Sequence, residues 1–559
     1  MLSRFLKYFF IIAPLNLLVI NVNAQHYIDS TVFYLKGGNN IFAKPGDTVY
    51  LMSGQRDYLL VENIHGAEDS TIVFINQGGV VSISTNHYFG MSFVNCTHFK
   101  ITGTGIPSID YGIDIQKVTN GAGMGIGCGS NFCEIDHIRF ANTLIGGLYV
   151  KSDPDTTFAT VRDSFLMENI FIHHNLFENT GDEGMYVGST KYHGQTISYH
   201  GNDTVVFPHL LKNVIIASNK IFNAGWDGIQ LSSASFQAEI RDNLIVNSSH
   251  RGSHNQMSGI MLGGGTKANC FNNMIIGGKG SGIVGASLGG QMIYNNIIVN
   301  AGENYVPGDP MKMQHGIYVG DISTQTDSSY CIVNNLIINP KSDGIRFTSL
   351  LSKNNLIANN VIINPGNYIF YDTIQSQFDA EDAFIMISDN SIDVDTMSNL
   401  FKLNSSSLWF TDTMQHDYTL QPNSPLIDKG IDLDSLGIFV DFFNNPRLVG
   451  QKVDLGPFEF DSILLFDSKS YIHTQKDILL YPNPAQKFIN IEIDKNLKIK
   501  TLEVFNMEGK ILQIIHNTNP LARKIQIDIN HLETGVYFVR MVSSEKNSYV
   551  FRFIKTTNQ

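Results

Sequence analysis

The sequence predicts an all-β fold: a solenoid of short strands followed by a small separate β domain. Three observations carry this. An apolar pair, one or two polar residues ending in Asn, and a further apolar step recur at Asn175, Asn219, Asn243, Asn273, Asn296, Asn335 and Asn360, with shortest spacings of 23 to 25 residues. Three residues before these Asn stand Ile172, Ile216, Ile240, Cys270, Ile293, Ile332 and Ile357, and two residues after stand Phe177, Ile221, Ile245, Ile275, Ile298, Ile337 and Ile362. Nine residues after most of them a Gly opens an apolar-x-apolar step, as in Gly184-Met185-Tyr186-Val187 and Gly228-Ile229-Gln230-Leu231. A repeat of this length without a helical period is the mark of stacked coils.

Equivalent residues of neighbouring β-coils stack about 4.8 Å apart, so the two apolar columns build a core that no single coil can bury alone. The repeated Asn suits the bend between two strands, where it tolerates left-handed dihedrals, and stacked Asn amides hydrogen-bond along the column. The Asn residues are therefore expected to be structural. On these Asn-x-Ile coils and Gly-Ile steps, residues 30 to 395 resemble the right-handed parallel β-helix proteins of the pectin-lyase-like superfamily. The resemblance implies fold more than activity, because that fold carries lyases, hydrolases and non-enzymes. The hydrolases that resemble polygalacturonases carry an Asn-Thr-Asp step, an Asp-Asp pair and a Gly-His-Gly, and this chain has none of these in that order.

Taken in order, Met1 to Ala24 is expected to be a secretory signal: Arg4 and Lys7 precede the apolar run Tyr8 to Ile20, and Val22-Asn23-Ala24 offers small residues for cleavage. No later stretch is apolar enough to span a bilayer. Residues 25–395 form the expected β-helix, opened by strands such as Thr48-Val49-Tyr50-Leu51 and Ile72-Val73-Phe74-Ile75. Insertions at Lys151 to Asn169, Thr190 to Lys212 and Asp321 to Ser329 follow the Gly-Ile strand. Ser248 to Ser258 and Gly302 to Gln314 precede it, and such loops are where a groove is walled. Residues 396–460 carry Asn423-Ser424-Pro425-Leu426-Ile427-Asp428 and Asp454-Leu455-Gly456-Pro457-Phe458-Glu459; they resemble the closing segment found after such helices in Bacteroidota, and imply a C-terminal cap. Residues 461–476 are a polar linker.

Residues 477–559 form the expected small β-sandwich, with strands at Ile489 to Ile493, Leu502 to Asn506, Ile511 to Ile515, Ile525 to Ile529 and Val536 to Val542. Leu480-Tyr481-Pro482-Asn483-Pro484, Leu532-Glu533-Thr534-Gly535-Val536-Tyr537-Phe538 and Phe553-Ile554-Lys555 resemble the type A sorting domain of the type IX secretion system. That resemblance implies export across the outer membrane, with the secretion machinery as a partner and the protein released or held at the surface.

Acidic residues exceed basic ones by 51 − 38 = 13, which argues against nucleic acid or an anionic membrane as the main partner. The five Cys are an odd number at irregular spacing and make no disulfide framework. Cys270 stands in the Ile column; Cys133 joins it if Asp136 takes the Asn place of an earlier coil, and a Cys128–Cys133 bridge is the alternative. No metal ligand set is read, and no cofactor is expected, save calcium if the reaction is an elimination. A monomer is expected.

The residues before the strand-opening Gly are Glu183, Asp227, Ser258, Ser281, His315 and Asp343 on successive coils. Glu183 and Asp227, with Asp182 beside them, thus fall one coil apart. Two close carboxyls raise one another's pKa and supply the acid and the base or nucleophile of a glycosidase. Strict alternation from inward Met185 and Ile229 aims them inward, so the Gly bend must turn them; the competing reading is plain turn chemistry. Tyr186, Gln230 and Trp226 are candidate substrate contacts. Lys191, His193, His250 and Arg251 are the candidates for an elimination, which needs a base and a cation beside a uronate. The expected function is hydrolysis of a polysaccharide; the alternatives are a polysaccharide lyase and a non-catalytic glycan-binding or surface protein.

Overall fold

The computed structural model describes residues 24–253, 255–306, 314–366 and 384–460, and in the C-terminal part 478–481, 485–493, 498–506, 511–516, 519, 523–532, 535–543 and 548–555. Of the expected signal segment, 1–24, all but Ala24 lies outside the described residues, and so does the linker at 461–476.

The chain coils into a right-handed parallel β-helix. One wall is a sheet of twelve short parallel strands running from Tyr34–Lys36 to Ile385–Ile387. The other is a 23-stranded parallel sheet to which each coil of the Asn repeat gives two strands, such as Leu166–His173 and Leu176–Thr180. Adjacent coils pair in register: Ile172 against Ile216, Phe177 against Ile221, Met185 against Ile229. Between the walls lies one continuous core that includes both apolar columns and Cys270.

The bend between the paired strands holds the Asn ladder. Asn175 Nδ2 donates to Asn219 Oδ1 at 3.1 Å, Asn219 to Asn243 at 3.0 Å, and so on through Asn273, Asn296, Asn335 and Asn360 to Asn399. Each also donates to a carbonyl of the preceding coil, as Asn243 does to Ile216 O. The left-handed dihedral lies one residue earlier than the sequence suggests, at His174, Ser218, Asp242 and Asn272. A second ladder runs four residues on, through Asn179, Asn223 and Asn247, whose own φ values are positive.

Asp136 does not hold the ladder place. Ile135 pairs with Ile172, and Ile138 N–H donates to Asn175 Oδ1, so Ile138 stands level with Asn175. Cys133 is still buried, opposite Ile170, two places earlier along the strand. Its side chain faces the core while Cys128 is exposed, and both are free thiols.

Strands Val394–Met397 and Leu400–Lys402 still pair with the long sheet, so the coils run past residue 395. The segment after them, expected as a C-terminal cap, packs on the outside of the long sheet. It lies along the flank, packing Leu408, Phe410, Tyr418, Leu420, Leu426, Leu455 and Phe458 on the outward side chains of Ile297, Val299, Leu336, Ile338, Val361 and Ile363. Apolar residues on both faces of those strands require such a cover.

At the C-terminus a three-stranded antiparallel sheet (Ile478–Tyr481, Phe488–Ile493, Lys524–Asp528) and a four-stranded one (Ile499–Asn506, Ile511–His516, Gly535–Ser543, Ser548–Lys555) share a core of their own around Ile491, Val504, Val539 and Phe553. The first and last of these strands were visible in the sequence only as motifs.

Candidate active site

Glu183 and Asp227 stand at the start of neighbouring strands of the short-strand sheet. Gly184 N–H donates to Asp227 O, and Gly228 N–H to Ser258 O, so the polar column predicted from the sequence is a continuous row. The glycines explain its direction. A Cβ at Gly184 would lie 2.5 Å from Gly228 O and 2.9 Å from Ile221 Cγ2, and one at Gly228 would lie 2.7 Å from Ile245 Cγ2. Glycine thus takes a crowded inward place, and since Met185 and Ile229 directly after it are core residues too, the inward–outward alternation breaks at this bend.

Both carboxyl groups are nonetheless sealed from solvent: Glu183 is 1% exposed and Asp227 0%. The insertion Ser248 to Ser258 reaches over them, and Gln256 Nε2 donates to Glu183 Oε1 at 3.2 Å. Ser258 Oγ donates to Asp227 Oδ1 at 2.6 Å. The second oxygen of each, Glu183 Oε2 and Asp227 Oδ2, is buried without a hydrogen-bond partner. Burial pushes the Glu183 carboxyl up to about 8, reinforced by the charges of Asp227 and Asp182. Burial pushes Asp227 up to about 7 against the Ser258 hydroxyl, which holds it down. Asp182 is half-buried, which raises its pKa, and the Arg251 guanidinium 3.8 Å away opposes that rise.

Arg251 is exposed, and its Nη1 donates to Gly181 O at 2.9 Å and Leu144 O at 3.3 Å, tying the turns of two coils. His250 is exposed and its Nδ1 donates to Ala224 O at 3.0 Å. Trp226 is half-buried in the turn beside Asp227, where its N–H donates to Asp182 O. Tyr186 and Gln230 pair in register on the outward face of the sheet. Gln230 is buried, and its Oε1 is a third orphaned acceptor beside the two carboxyls' coils.

Lys191 and His193 lie elsewhere. They sit past the other end of the same strands, on the arm that carries the antiparallel hairpin Gln195–Tyr199 and Asn202–Val206, with His193 Nε2 donating to Ile322 O at 3.3 Å. The four basic residues suggested for an elimination are thus split between the two edges of the short-strand sheet, with His250 and Arg251 at the carboxylate edge.

Four neighbours were not singled out from the sequence. Ser258 and Gln256 come from the insertion. Tyr149 stands one coil before Tyr186 with the rings 5.6 Å apart and perpendicular, and Lys151 Nζ lies 5.0 Å over the Tyr186 ring. The match of Gly147-Leu148-Tyr149-Val150 to Gly184-Met185-Tyr186-Val187 is the signal that finds Tyr149. Burial pushes the Tyr149 phenol well up, and the Glu183 charge adds to it.

Residues 479–556 match the family model described as the secretion system C-terminal sorting domain. The C-terminal sandwich is a secretion sorting domain. It directs the chain through type IX secretion to the cell surface or the medium. Among the described residues no helix is long and apolar enough to cross a membrane. No curated protein matches the chain. Among solved structures it is similar to a pectate lyase (11% identity over 79% of this chain and 97% of that one, TM-score 0.40). It is also similar to the GH136 lacto-N-biosidase from Eubacterium ramulus (11%, 68% of each chain, TM-score 0.42). A third is an alginate lyase from Paenibacillus sp. (14%, 58% of this chain and 94% of that one, TM-score 0.29).

Proposed function

We propose that the protein is an exported glycoside hydrolase acting on a polysaccharide, with Glu183 as general acid and Asp227 as base or nucleophile. The observation that carries this reading is the pair itself: two carboxyls on adjacent coils, each with one hydrogen-bonded and one orphaned oxygen. A buried orphaned acceptor costs about 1–3 kcal/mol, a cost that a ligand hydroxyl removes. Burial raises both pKa values, Glu183 to about 8 and Asp227 to about 7, and the charge of one opposes ionisation of the other, so the pair holds one proton and one charge near neutral pH. With that proton on Glu183 the pair has its acid and its base. Asp182 adds negative charge beside them, which favours an oxocarbenium-like transition state. Backbones one coil apart, about 4.8 Å, favour a close carboxyl pair and so retention of configuration.

A sugar reaches Glu183 by taking the place of Gln256. The exchange is nearly even, since one hydrogen bond, worth about 1 kcal/mol net, replaces another. Tyr186 and Gln230 on the outward face then line the path of the chain, with Trp226 at the turn.

The test is a screen of plant and algal polysaccharides that records reducing ends and ultraviolet absorbance together. Hydrolysis raises reducing ends alone; elimination also gives unsaturated uronates that absorb, and a binder gives neither. For any glycan cleaved, proton NMR of the first product reads the anomeric configuration. Unsaturated products would move the chemistry to a lyase.

A further inference from the structure

On the outer face of the long sheet, away from the strands that carry Glu183, three coils bring a different set of groups together. Lys100 pairs in register with Glu134, Thr102 with Asp136, and Asp136 with His173. Glu134, Asp136 and His173 each present one ligand atom, and the three atoms lie within 4.8 Å of one another. His173 Nε2 is 3.1 Å from Glu134 Oε1 and 3.9 Å from Asp136 Oδ2. Two ligands about 2.0–2.1 Å from a tetrahedral ion lie about 3.4 Å apart, between these values.

The atoms that would not bind are already occupied. Asp136 Oδ1 accepts from Thr102 Oγ1, and from His137 Nδ1 at 2.7 Å. That fixes the carboxylate and turns Oδ2 into the gap. Asp136 is 1% exposed, and Oδ2 receives no aligned hydrogen bond. His173 Nδ1 lies 2.9 Å from His174 Nδ1, so one ring donates to the other. His173 Nε2–H donates to Glu134 Oε1 at 3.1 Å, with His174 as the donor between the two rings. Moving that proton so that His173 donates to His174 frees the Nε2 lone pair for an ion. Ligands whose far atoms are held by a hydroxyl or an imidazole are the usual second layer of a metal centre. Two carboxylates this close repel unless a cation lies between them. In this structure that cation is the Lys100 ammonium, 2.6 Å from Glu134 Oε1 and 2.7 Å from Asp136 Oδ2, on a flexible stem that is partly exposed.

We infer that Glu134, Asp136 and His173 form a divalent transition-metal site, which takes Zn2+ by displacing the Lys100 ammonium. One imidazole and two carboxylates suit zinc, and three protein ligands leave a place for water. Lys100 marks the place of the ion and competes for it. Because Asp136 and His173 belong to successive coils, the bound ion joins them as a staple. The site is independent of the hydrolase reading and stands or falls alone.

The test is calorimetric titration of the chelator-stripped full chain with Zn2+, with melting followed alongside. Wild type binds one Zn2+ per chain at a site that raises the melting temperature by mass action. E134Q and H173A each weaken binding by at least about 10-fold, as loss of a ligand should exceed loss of a second-layer partner. K100M binds more tightly than wild type, a gain that misfolding cannot produce. Circular dichroism checks that E134Q and H173A keep the β-helix, and E134Q, nearly isosteric, serves alone if H173A does not. Wild-type binding that neither ligand variant weakens, no stoichiometric binding, or binding only after Lys100 is removed would each overturn the inference.

Discussion

Gln256 donates to Glu183 Oε1 at 3.2 Å, from an insertion 73 residues further along the chain. One coil on, Ser258 of the same insertion donates to Asp227 Oδ1. A single loop therefore holds one oxygen of each carboxyl and leaves the other oxygen orphaned. Amides keep the shape and most of these hydrogen bonds but cannot exchange a proton. Once a substrate is in hand, Glu183→Gln and Asp227→Asn should each lower turnover by at least about 100-fold, the usual share of general acid–base catalysis. Circular dichroism and chromatographic behaviour should not change. A variant that keeps full turnover would remove that carboxyl from the mechanism.

The Asn ladder makes a prediction about stability that does not involve the site. Asn243 Oδ1 accepts from both the backbone N–H and the side-chain amide of Asn219, and Asn243 Nδ2 donates to Ile216 O and Asn273 Oδ1. All these atoms lie in residues that are buried. Asn243→Ala strands several of them without partners, at about 1–3 kcal/mol for each group that finds no water. The expected loss is on the order of 3–5 kcal/mol in urea unfolding. Asn247→Ala, in the more exposed second ladder, should cost about 1 kcal/mol. Equal effects for the two would mean that burial does not set the worth of the amide stack.

Most of the helix was legible because its signal repeats. An Ile that recurs at Ile172, Ile216 and Ile240 is averaged over many coils, and stacking demands the same residue type at each level. The carboxylate column was legible for the same reason, through the Gly that follows it. What the sequence hid was whatever a single coil does once. Asp136 imitates the ladder Asn only if register is counted from composition; the pairing of Ile135 with Ile172 moves it by two places. The flank role of Leu408 to Phe458 hides in strands such as Ile297-Ile298-Val299, whose outward apolar residues ask for a cover without naming it. The metal-type cluster joins residues from three coils, and no local spacing connects Glu134 with His173.

The sorting domain has a core that does not draw on the helix. Deleting Gln475 to Gln559 should leave a β-helix with an unchanged circular dichroism spectrum and cooperative melting. In the native host the truncated chain should collect in the periplasm, because the region that directs passage through the type IX system is gone. Fractionation with an antibody to the helix reads this directly. Normal surface or culture-medium levels of the truncated chain would show that another segment directs export.

The buried pair also sets a pH dependence whose sign is opposite to that of most carboxylates. Glu183 ionises at about 8 in the native chain against 4.5 ordinarily, and Asp227 at about 7 against 3.8. Between those limits the native state holds protons that the unfolded chain has released. Stability therefore falls as pH rises from about 4 to about 8, and levels off above. A tenfold difference in proton affinity between the native and unfolded chain is worth about 1.4 kcal/mol, so even a fraction of the full effect is measurable by urea unfolding at pH 5 and pH 8. Other groups titrate in this range, Asp441 at about 6 among them, so the informative quantity is the difference between wild type and the amide variants. Glu183→Gln and Asp227→Asn, which have no charge to bury, should gain on wild type as pH rises, and the double variant should gain most. The same two values frame the rate. Hydrolysis needs Asp227 ionised and Glu183 protonated, so kcat/KM should peak between about 7 and 8 and fall on both sides. A gap between wild type and the double variant that stays constant from pH 5 to pH 8 would mean that the carboxyls ionise as ordinary surface groups, and the assignment of Glu183 as the acid would fall with it.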